Sequence, residues 1–217
     1  MSLRREELIK IAGDLFARKG FSATTVRGIA DEAGILPGSL YHHFDSKEDI
    51  ARVILTEYYD GMASQCRAIA ESDLDPREAL AELIRASFRS IATNPQAVGL
   101  IQNSGDIIDR FAHIQDTKEE LKDIWIEVVN RGIRHRVVRG EFHATLVRRF
   151  IRDSIAATVR WWRPDGTLTI DEVAESYIDI IYNGLMIAPQ QHVLLPGAPV
   201  PKAKADGRRK ASSGSLS

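Results

Sequence analysis

The chain has 217 residues, with 29 lysines and arginines against 30 acidic residues, for a formal net charge of −1. This length predicts one globular domain or a small domain fused to a larger one, and the charge balance excludes a bulk electrostatic attraction to nucleic acid or membranes. The single cysteine, Cys66, excludes an internal disulfide framework and a multi-cysteine metal site. We expect a cytoplasmic protein, because the first residues lack the apolar segment of a secretory signal and no stretch can span a membrane.

The first predicted elements lie close together in the sequence. Apolar residues recur with helical spacing over 8–16, and Gly20 is typical of the residue that follows a helix end. Thr24 or Thr25 is expected to cap a short second helix, and Gly34 is expected to end it. The pattern therefore predicts a helix followed by a shorter helix and a tight turn.

The third predicted helix covers 37–44 and has one buried side. Its first residue is a proline, whose missing N–H costs nothing at that position. Leu40 and Phe44 are four residues apart and are expected to face inward. The other side carries small, hydroxyl and aromatic residues: Gly38, Ser39, Tyr41, His42 and His43. These side chains suit a nucleic-acid groove, because hydroxyl and imidazole groups can hydrogen-bond phosphate oxygens and base edges.

The remaining sequence is typical of longer helices. Ser46 and Asp49 resemble a capping box that opens a fourth helix running to Glu71. Further helices are predicted near 76–93, 96–108, 116–138, 143–162 and 170–187. No run alternates apolar and polar residues over the length of a strand, so the sequence predicts an all-α fold. The segment from Pro196 onward is rich in proline, glycine, serine and lysine, which predicts a disordered basic tail.

Two short helices with a tight turn, closed by a preceding helix, have the layout of a helix-turn-helix unit. Segments 24–34 and 38–48, TTVRGIADEAG and GSLYHHFDSKE, resemble the DNA-binding signature of TetR-type transcriptional repressors. The resemblance implies a transcriptional repressor that binds a palindromic operator in double-stranded DNA. A small apolar or acyl-CoA-type effector is expected to release it from the operator, and no membrane partner is expected. The implied domains are a helix-turn-helix domain over 1–48, a ligand-binding and dimerisation domain over 49–190 and the tail over 191–217.

The resemblance also implies which residues contact DNA. Those expected to touch backbone phosphates are Thr25, Arg27, Tyr41, His42 and Lys47. Gly38 and Ser39 are expected to lie nearest the bases. The family commonly has serine or threonine where Leu36 stands, so the usual side-chain cap of the recognition helix is expected to be absent here.

Other functions compete with this prediction. Residues 1–52 carry eight basic and eight acidic side chains, a neutral balance that also fits a structural subdomain or a helical adaptor. A TetR-type activator is a further alternative. An enzyme is not expected, because the sequence has no Walker A loop, no G-x-S-x-G elbow and no H-E-x-x-H pair. Neither a cofactor nor a bound metal is expected, since the histidines never fall four residues apart on one predicted helix.

The last two long helices are predicted to form a homodimer interface. Their apolar residues extend round much of each helix, with Phe150 and Ile155 in one and Tyr177 and Ile181 in the other. In the TetR family a pair of C-terminal helices from each subunit forms a four-helix bundle. The alternative is that these residues are ordinary core.

The middle helices resemble the ligand-binding core of the same family. Aromatic and polar side chains are expected to form the effector site: Phe88, Asn103, Arg110, Phe111, Trp125, Arg152 and Trp161. The alternative for each aromatic residue is packing in the core. Arg152 lies between apolar residues and needs an anionic partner, either Asp153 or another acid, or a ligand carboxylate or phosphate.

Segment 149–169 is similar to a subgroup of actinobacterial TetR-type regulators that govern steroid and acyl-CoA breakdown and are released from DNA by CoA thioesters. This similarity implies an acyl-CoA effector whose phosphates or carboxylate would meet Arg152, Arg110 or Arg160. Ala156 stands where those relatives have an aromatic residue, which implies a pocket of different shape. Effector binding is expected to move the fourth helix and pull two DNA-binding heads out of register.

Overall fold

The computed structural model describes residues 5–103 and 107–184, which fold into helices without a strand. In chain order the helices are α1 (Arg5–Lys19), α2 (Val26–Glu32), α3 (Pro37–Tyr41), α4 (Lys47–Glu71), α5 (Pro76–Thr93), α6 (Pro95–Asn103), α7 (Ala112–Arg134), α8 (Ala144–Thr158) and α9 (Ile170–Asn183). A short 3-10 helix, Ile108–Arg110, precedes α7. The predicted all-α fold is confirmed. The predicted end of the last helix at 187 and the predicted tail over 191–217 lie outside the described residues.

Capping side chains set the short helices of the head, by which we mean α1 to α3 and the first turn of α4. Thr25, and not Thr24, is the N-cap of α2, since its hydroxyl oxygen accepts from the Gly28 N–H at 3.0 Å. The Ser46 hydroxyl oxygen caps α4 by accepting from the Asp49 N–H at 3.1 Å. These bonds satisfy N–H groups that a helix start leaves without partners.

The turn between α2 and α3 depends on a glycine. Gly34 has a φ of 66°, in the left-handed region that residues with a side chain rarely adopt. The chain can therefore reverse direction directly after α2. Helix α3 ends at Tyr41, three residues before the predicted end.

Buried apolar side chains form two clusters. The first joins α1, α2 and α3 to the start of α4, and it also includes Leu100 of α6 and Ile114 of α7. The second joins the later part of α4 to α5, α7, α8 and α9. Helix α4 therefore runs through both clusters, and α6 packs with the head. In the described chain no helix is both long and apolar enough to cross a membrane.

Helices α1 and α6 pack at very short distance. A methyl group at Gly99 of α6 would lie 2.4 Å from Cβ of Ala17 in α1, so only glycine fits there. The Gln96 amide donates to Oδ1 of Asp14 at 3.0 Å, and the Asn103 amide donates to the Ala17 carbonyl oxygen at 3.0 Å. The close approach and the two flanking hydrogen bonds fix α6 against α1.

Helix α9 is held against α5 by polar contacts at both ends. The Arg85 guanidinium donates to Oε1 of Glu175 at 2.6 Å and also to the Glu78 carboxylate. The Tyr182 hydroxyl donates to the Arg77 carbonyl oxygen at 2.6 Å. One side of α9 is therefore occupied by its contacts with α5.

The end of α7 differs from the expected one. The helix covers Ala112–Arg134, where the sequence pattern predicted 116–138 with a break at Gly140. Arg136 has a φ of 59°, and the Val137 N–H donates to the Gly132 carbonyl oxygen at 2.8 Å. A left-handed residue directly after a helix closes its last turn in this way, although glycine is the usual residue there.

Replacing Arg136 with glycine is expected to stabilise the protein, because glycine adopts a positive φ without the clash that an L side chain causes. We expect the free energy of unfolding to rise by about 0.5–1 kcal/mol and the melting temperature by roughly 1–3 °C. Thermal denaturation followed by circular dichroism measures the change. Arg136→Ala is the matched control, because it removes the same side chain and keeps the unfavourable φ. Equal melting temperatures for the two variants would contradict the backbone explanation.

Candidate functional site

Helix α3 presents one buried side and one side to solvent. Leu40 and Phe44 are 1% and 3% exposed and pack in the head. The side chains of Ser39, Tyr41, His42 and His43 are exposed, as is Gly38. The predicted orientation of this helix is confirmed. A hydroxyl and a phenol on α3, and two imidazoles directly after it, give a surface of hydrogen-bonding groups that are already in water.

Two further residues predicted to contact DNA flank this surface on α2. Thr25 is exposed, and its hydroxyl hydrogen remains available because the oxygen acts as the acceptor in the helix cap. The Arg27 side chain is 85% exposed and has only a long contact of 4.0 Å with Asp31. Such a surface pair contributes little, so Arg27 can exchange Asp31 for a phosphate at small cost.

Lys47, the first residue of α4, is turned toward the protein. Its ammonium donates to the carbonyl oxygens of Phe21 and Thr24, each at 2.9 Å, and to that of Ser22 at 3.5 Å. It also lies 4.4 Å from the centre of the Phe21 ring. All three N–H groups of the ammonium thus point at the loop between α1 and α2. The observed role of Lys47 is to hold this loop, and its phosphate contact stays a prediction.

Leu36 is the N-cap of α3, and no side-chain hydrogen bond caps the helix. The expected absence of a hydroxyl cap is therefore confirmed. The Leu36 side chain is 76% exposed at the turn that leads into α3.

A cavity of about 190 Å³ lies between α4, α5, α6 and α8. Its wall is mostly apolar, and its polar members are Tyr58, Tyr59, Ser87, Gln102 and Arg152. An apolar wall with a few polar side chains is the usual composition of a small-molecule site.

Arg152 carries a positive charge on the wall of this cavity. Its Nη1 donates to Oγ of Ser87 at 3.1 Å, and the guanidinium carbon lies 5.5 Å from the centre of the Trp125 ring. Within the described part of the chain its partners are a hydroxyl and an aromatic ring, and the alternative of an ion pair with Asp153 is not observed. A half-buried guanidinium that has no carboxylate partner would be stabilised by a bound anion.

The electrostatic effect of Arg152 reaches Tyr59 on the cavity wall and Cys66 elsewhere on α4. Burial raises the pKa of Tyr59 to about 12 and that of Cys66 to about 11. The Arg152 charge lowers both pKa values and so opposes the effect of burial. Cys66 is buried among apolar residues and, with its pKa raised further above neutral pH, acts as a packing group.

Of the seven residues predicted for the effector site, Arg152 lines this cavity and Trp125 contacts the Arg152 guanidinium. The other five lie elsewhere. Phe88 is buried against Tyr177 with ring centres 4.9 Å apart, and Asn103 bonds to α1. Their role in effector binding stays a prediction, as does that of Arg110 and Phe111 beside the start of α7 and of the half-exposed Trp161.

Sequence reasoning missed the polar residues that α4 and α5 contribute to the cavity. Tyr58 and Tyr59 lie on α4, and their rings meet edge to face with centres 5.1 Å apart. Ser87 on α5 is 2% exposed. Two tyrosines and a serine among the apolar residues of two long helices are the signal that could have found them, since buried hydroxyls need partners.

The helix-turn-helix head and the exposed surface of α3 define a DNA-binding regulatory protein. A family model described as bacterial regulatory proteins, tetR family, matches residues 8–54. A second model, described as the tetracyclin repressor-like C-terminal domain, matches residues 73–185. The chain belongs to the TetR family of bacterial regulatory proteins, as the sequence resemblance implied.

Curated relatives and solved structures agree with this assignment. The chain is 40% identical over 185 residues to the HTH-type transcriptional repressor KstR2 of Rhodococcus jostii, an alignment that covers 84% of this chain and 91% of that protein. The structure of the ketosteroid transcriptional regulator KstR2 of Mycobacterium tuberculosis matches with a TM-score of 0.80 at 40% identity, covering 85% of this chain and 95% of that one.

Replacing Lys47 with glutamine is expected to loosen the head, because charge-assisted hydrogen bonds to three carbonyl oxygens are lost together. We expect a loss of about 1–2 kcal/mol in the free energy of unfolding, measured by urea denaturation. We also expect faster hydrogen exchange of the amides over 21–25. Lys10→Gln, which neutralises an exposed lysine of α1, is the matched control. Unchanged exchange over 21–25 in Lys47→Gln would contradict the holding role.

Proposed function

We propose that this protein is a homodimeric transcriptional repressor that binds a palindromic operator and is released by an apolar effector with an anionic group, of the acyl-CoA type. The observation that carries DNA binding is the exposed, polar side of α3 on a helix-turn-helix head of the TetR family. The KstR2 relatives at 40% identity are named repressors, which favours repression over activation.

The DNA contacts we propose follow from the position of each side chain. The phosphates are contacted by Thr25, Arg27, Tyr41 and His42. Lys47 either holds the loop before α2 in place or contacts a phosphate as well. Gly38 and Ser39 approach the bases, because glycine lets the backbone come close and the serine hydroxyl can donate or accept. So few phosphate contacts per subunit predict a shallow dependence of affinity on salt.

The dimer we propose uses an apolar row on α8. Leu146 and Phe150 are four residues apart on α8, with exposed fractions of 60% and 66%, and Phe142, 43% exposed, lies just before the helix. Trp161 after α8 and Ile180 on α9 are also exposed, and one side of α9 is already held against α5. Exposed apolar surface of this extent supports burial against a second copy. Two copies would present two recognition helices to successive major grooves.

The effector class follows from Arg152. A carboxylate or phosphate on the ligand would replace Ser87 as the guanidinium partner, and the apolar wall would hold the rest of the molecule. The KstR2 structure is described as that of a ketosteroid transcriptional regulator, which supports a largely apolar effector here. The cavity is about 190 Å³, which is smaller than the roughly 300–1,000 Å³ typical of ligand pockets.

The small volume of the cavity supports a mechanism by which effector binding weakens operator binding. An effector larger than the cavity must separate the helices that enclose it, and α4 and α6 are two of them. Movement of either helix displaces the head, since α4 begins there and α6 is packed against α1. An effector that binds the displaced state more tightly lowers operator affinity, and the operator weakens effector binding by the same factor.

Selection of bound fragments from genomic DNA tests the proposed function directly. We expect an enriched palindromic sequence, and the genes beside it would indicate the effector. No enrichment by a folded, dimeric protein would overturn the proposal of a DNA-binding repressor.

Replacing Arg152 with glutamine is expected to abolish the effector response and to leave operator binding intact, because the guanidinium lies in the cavity and away from the head. We expect acyl-CoA thioesters to raise the melting temperature of the wild type and to release it from the selected operator, and to do neither for Arg152→Gln. Arg149→Gln removes the same charge from an exposed position of α8 and serves as the matched control. An unchanged response in Arg152→Gln would contradict the assigned role.

Introducing a charge into the row on α8 is expected to separate the dimer. Phe150→Glu places a carboxylate where the proposed interface is apolar, so we expect a monomer by size-exclusion chromatography with light scattering, and at least tenfold weaker operator binding. Leu74→Glu changes an exposed leucine in the turn after α4 and is the matched control. A dimeric Phe150→Glu variant would place the interface elsewhere.

A further inference from the structure

Leu36 is the most exposed large apolar side chain in the described part of the chain. Its exposed fraction is 76%, against 55% for Tyr41 at the other end of α3. Single exposed leucines are common on protein surfaces, so exposure alone has no meaning. The exposure of Leu36 is informative because this residue directly precedes the recognition helix.

Leu36 does not serve the stability of the head. As the N-cap of α3 it has extended backbone, and no side chain supplies the cap hydrogen bond. A serine or threonine there would bond to an N–H of the first turn and stabilise the helix. Packing does not explain the residue either, since the buried contacts of α3 are made by Leu40 and Phe44.

The neighbours of Leu36 leave it prominent at this end of α3. Pro37 has no N–H to donate. Gly38 has no side chain, and no atom lies within 4 Å of the place where its Cβ would be. The start of the recognition helix therefore offers a base pair two kinds of group, the Ser39 hydroxyl and the isobutyl group of Leu36.

The chemistry of the major groove then identifies the partner. Base edges there present hydrogen-bond donors and acceptors, and the 5-methyl group of thymine is the apolar group among them. A leucine placed against a polar edge would remove water from it and return no hydrogen bond. A leucine placed against the methyl group buries apolar surface on both sides.

Resting on the proposed DNA binding, we propose that Leu36 is a specificity-determining residue that contacts the 5-methyl group of one thymine in each half of the operator. The operator then has a T·A pair at the same place in both half-sites. Leu36 supplies base discrimination, while the polar residues of α2 and α3 fix the position of the head on the backbone.

The test uses the full-length protein and an operator obtained by selection from a random DNA library. Each thymine is replaced in turn by deoxyuridine, which lacks the methyl group and keeps the base pair. At one thymine position of the half-site, we expect removal of the methyl group to weaken wild-type binding. The loss should be about 4-fold when one half-site is changed and about 15-fold when both are changed. Leu36→Ala is expected to bind the thymine and deoxyuridine operators equally.

Leu36→Ser separates this role from a structural one. The serine restores a helix cap, so the melting temperature should be equal to or above that of the wild type, whereas operator affinity and the preference for thymine should fall. Deoxyuridine effects that are the same in wild type and Leu36→Ala would overturn the proposal. A failure to select any operator would instead count against the proposed function.

Discussion

The close contact between α1 and α6 makes the DNA-facing head and the cavity parts of one mechanical unit. Gly99 lies so near Ala17 that no side chain fits between the helices, and hydrogen bonds flank the contact on both sides. The other side of α6 gives Val98 and Ile101 to the cavity wall. Because a tightly packed interface transmits displacement, a ligand that moves α6 at the cavity also moves α1.

Helix α4 supplies a second connection between the same two places. At its start Lys47 holds the loop that precedes α2, and more than two turns later Tyr58 and Tyr59 line the cavity. Arg152 faces these tyrosines with a charge that no carboxylate in the described residues balances. This charge and the short distance along α4 from the cavity to the head are the structural basis of the anionic effector that we propose.

Local features of the fold could be predicted from the sequence, and long-range ones could not. Thr25, Gly34 and Ser46 act on groups a few residues away, so the short helices and the exposed side of α3 followed from spacing alone. The cavity combines segments of α4, α5, α6 and α8, and the carbonyl partners of Lys47 lie more than 20 residues before it. The end of α7 depends on the φ of Arg136, which composition does not reveal.

Energetic coupling between the cavity and the DNA-binding head is the property from which the proposed regulation follows. Isothermal titration of an acyl-CoA thioester into the protein, alone and saturated with the selected operator, measures that coupling directly. We expect thioester binding to be at least 5-fold weaker in the presence of operator, with the same factor for operator binding in the presence of thioester. Equal thioester affinities with and without operator would contradict it.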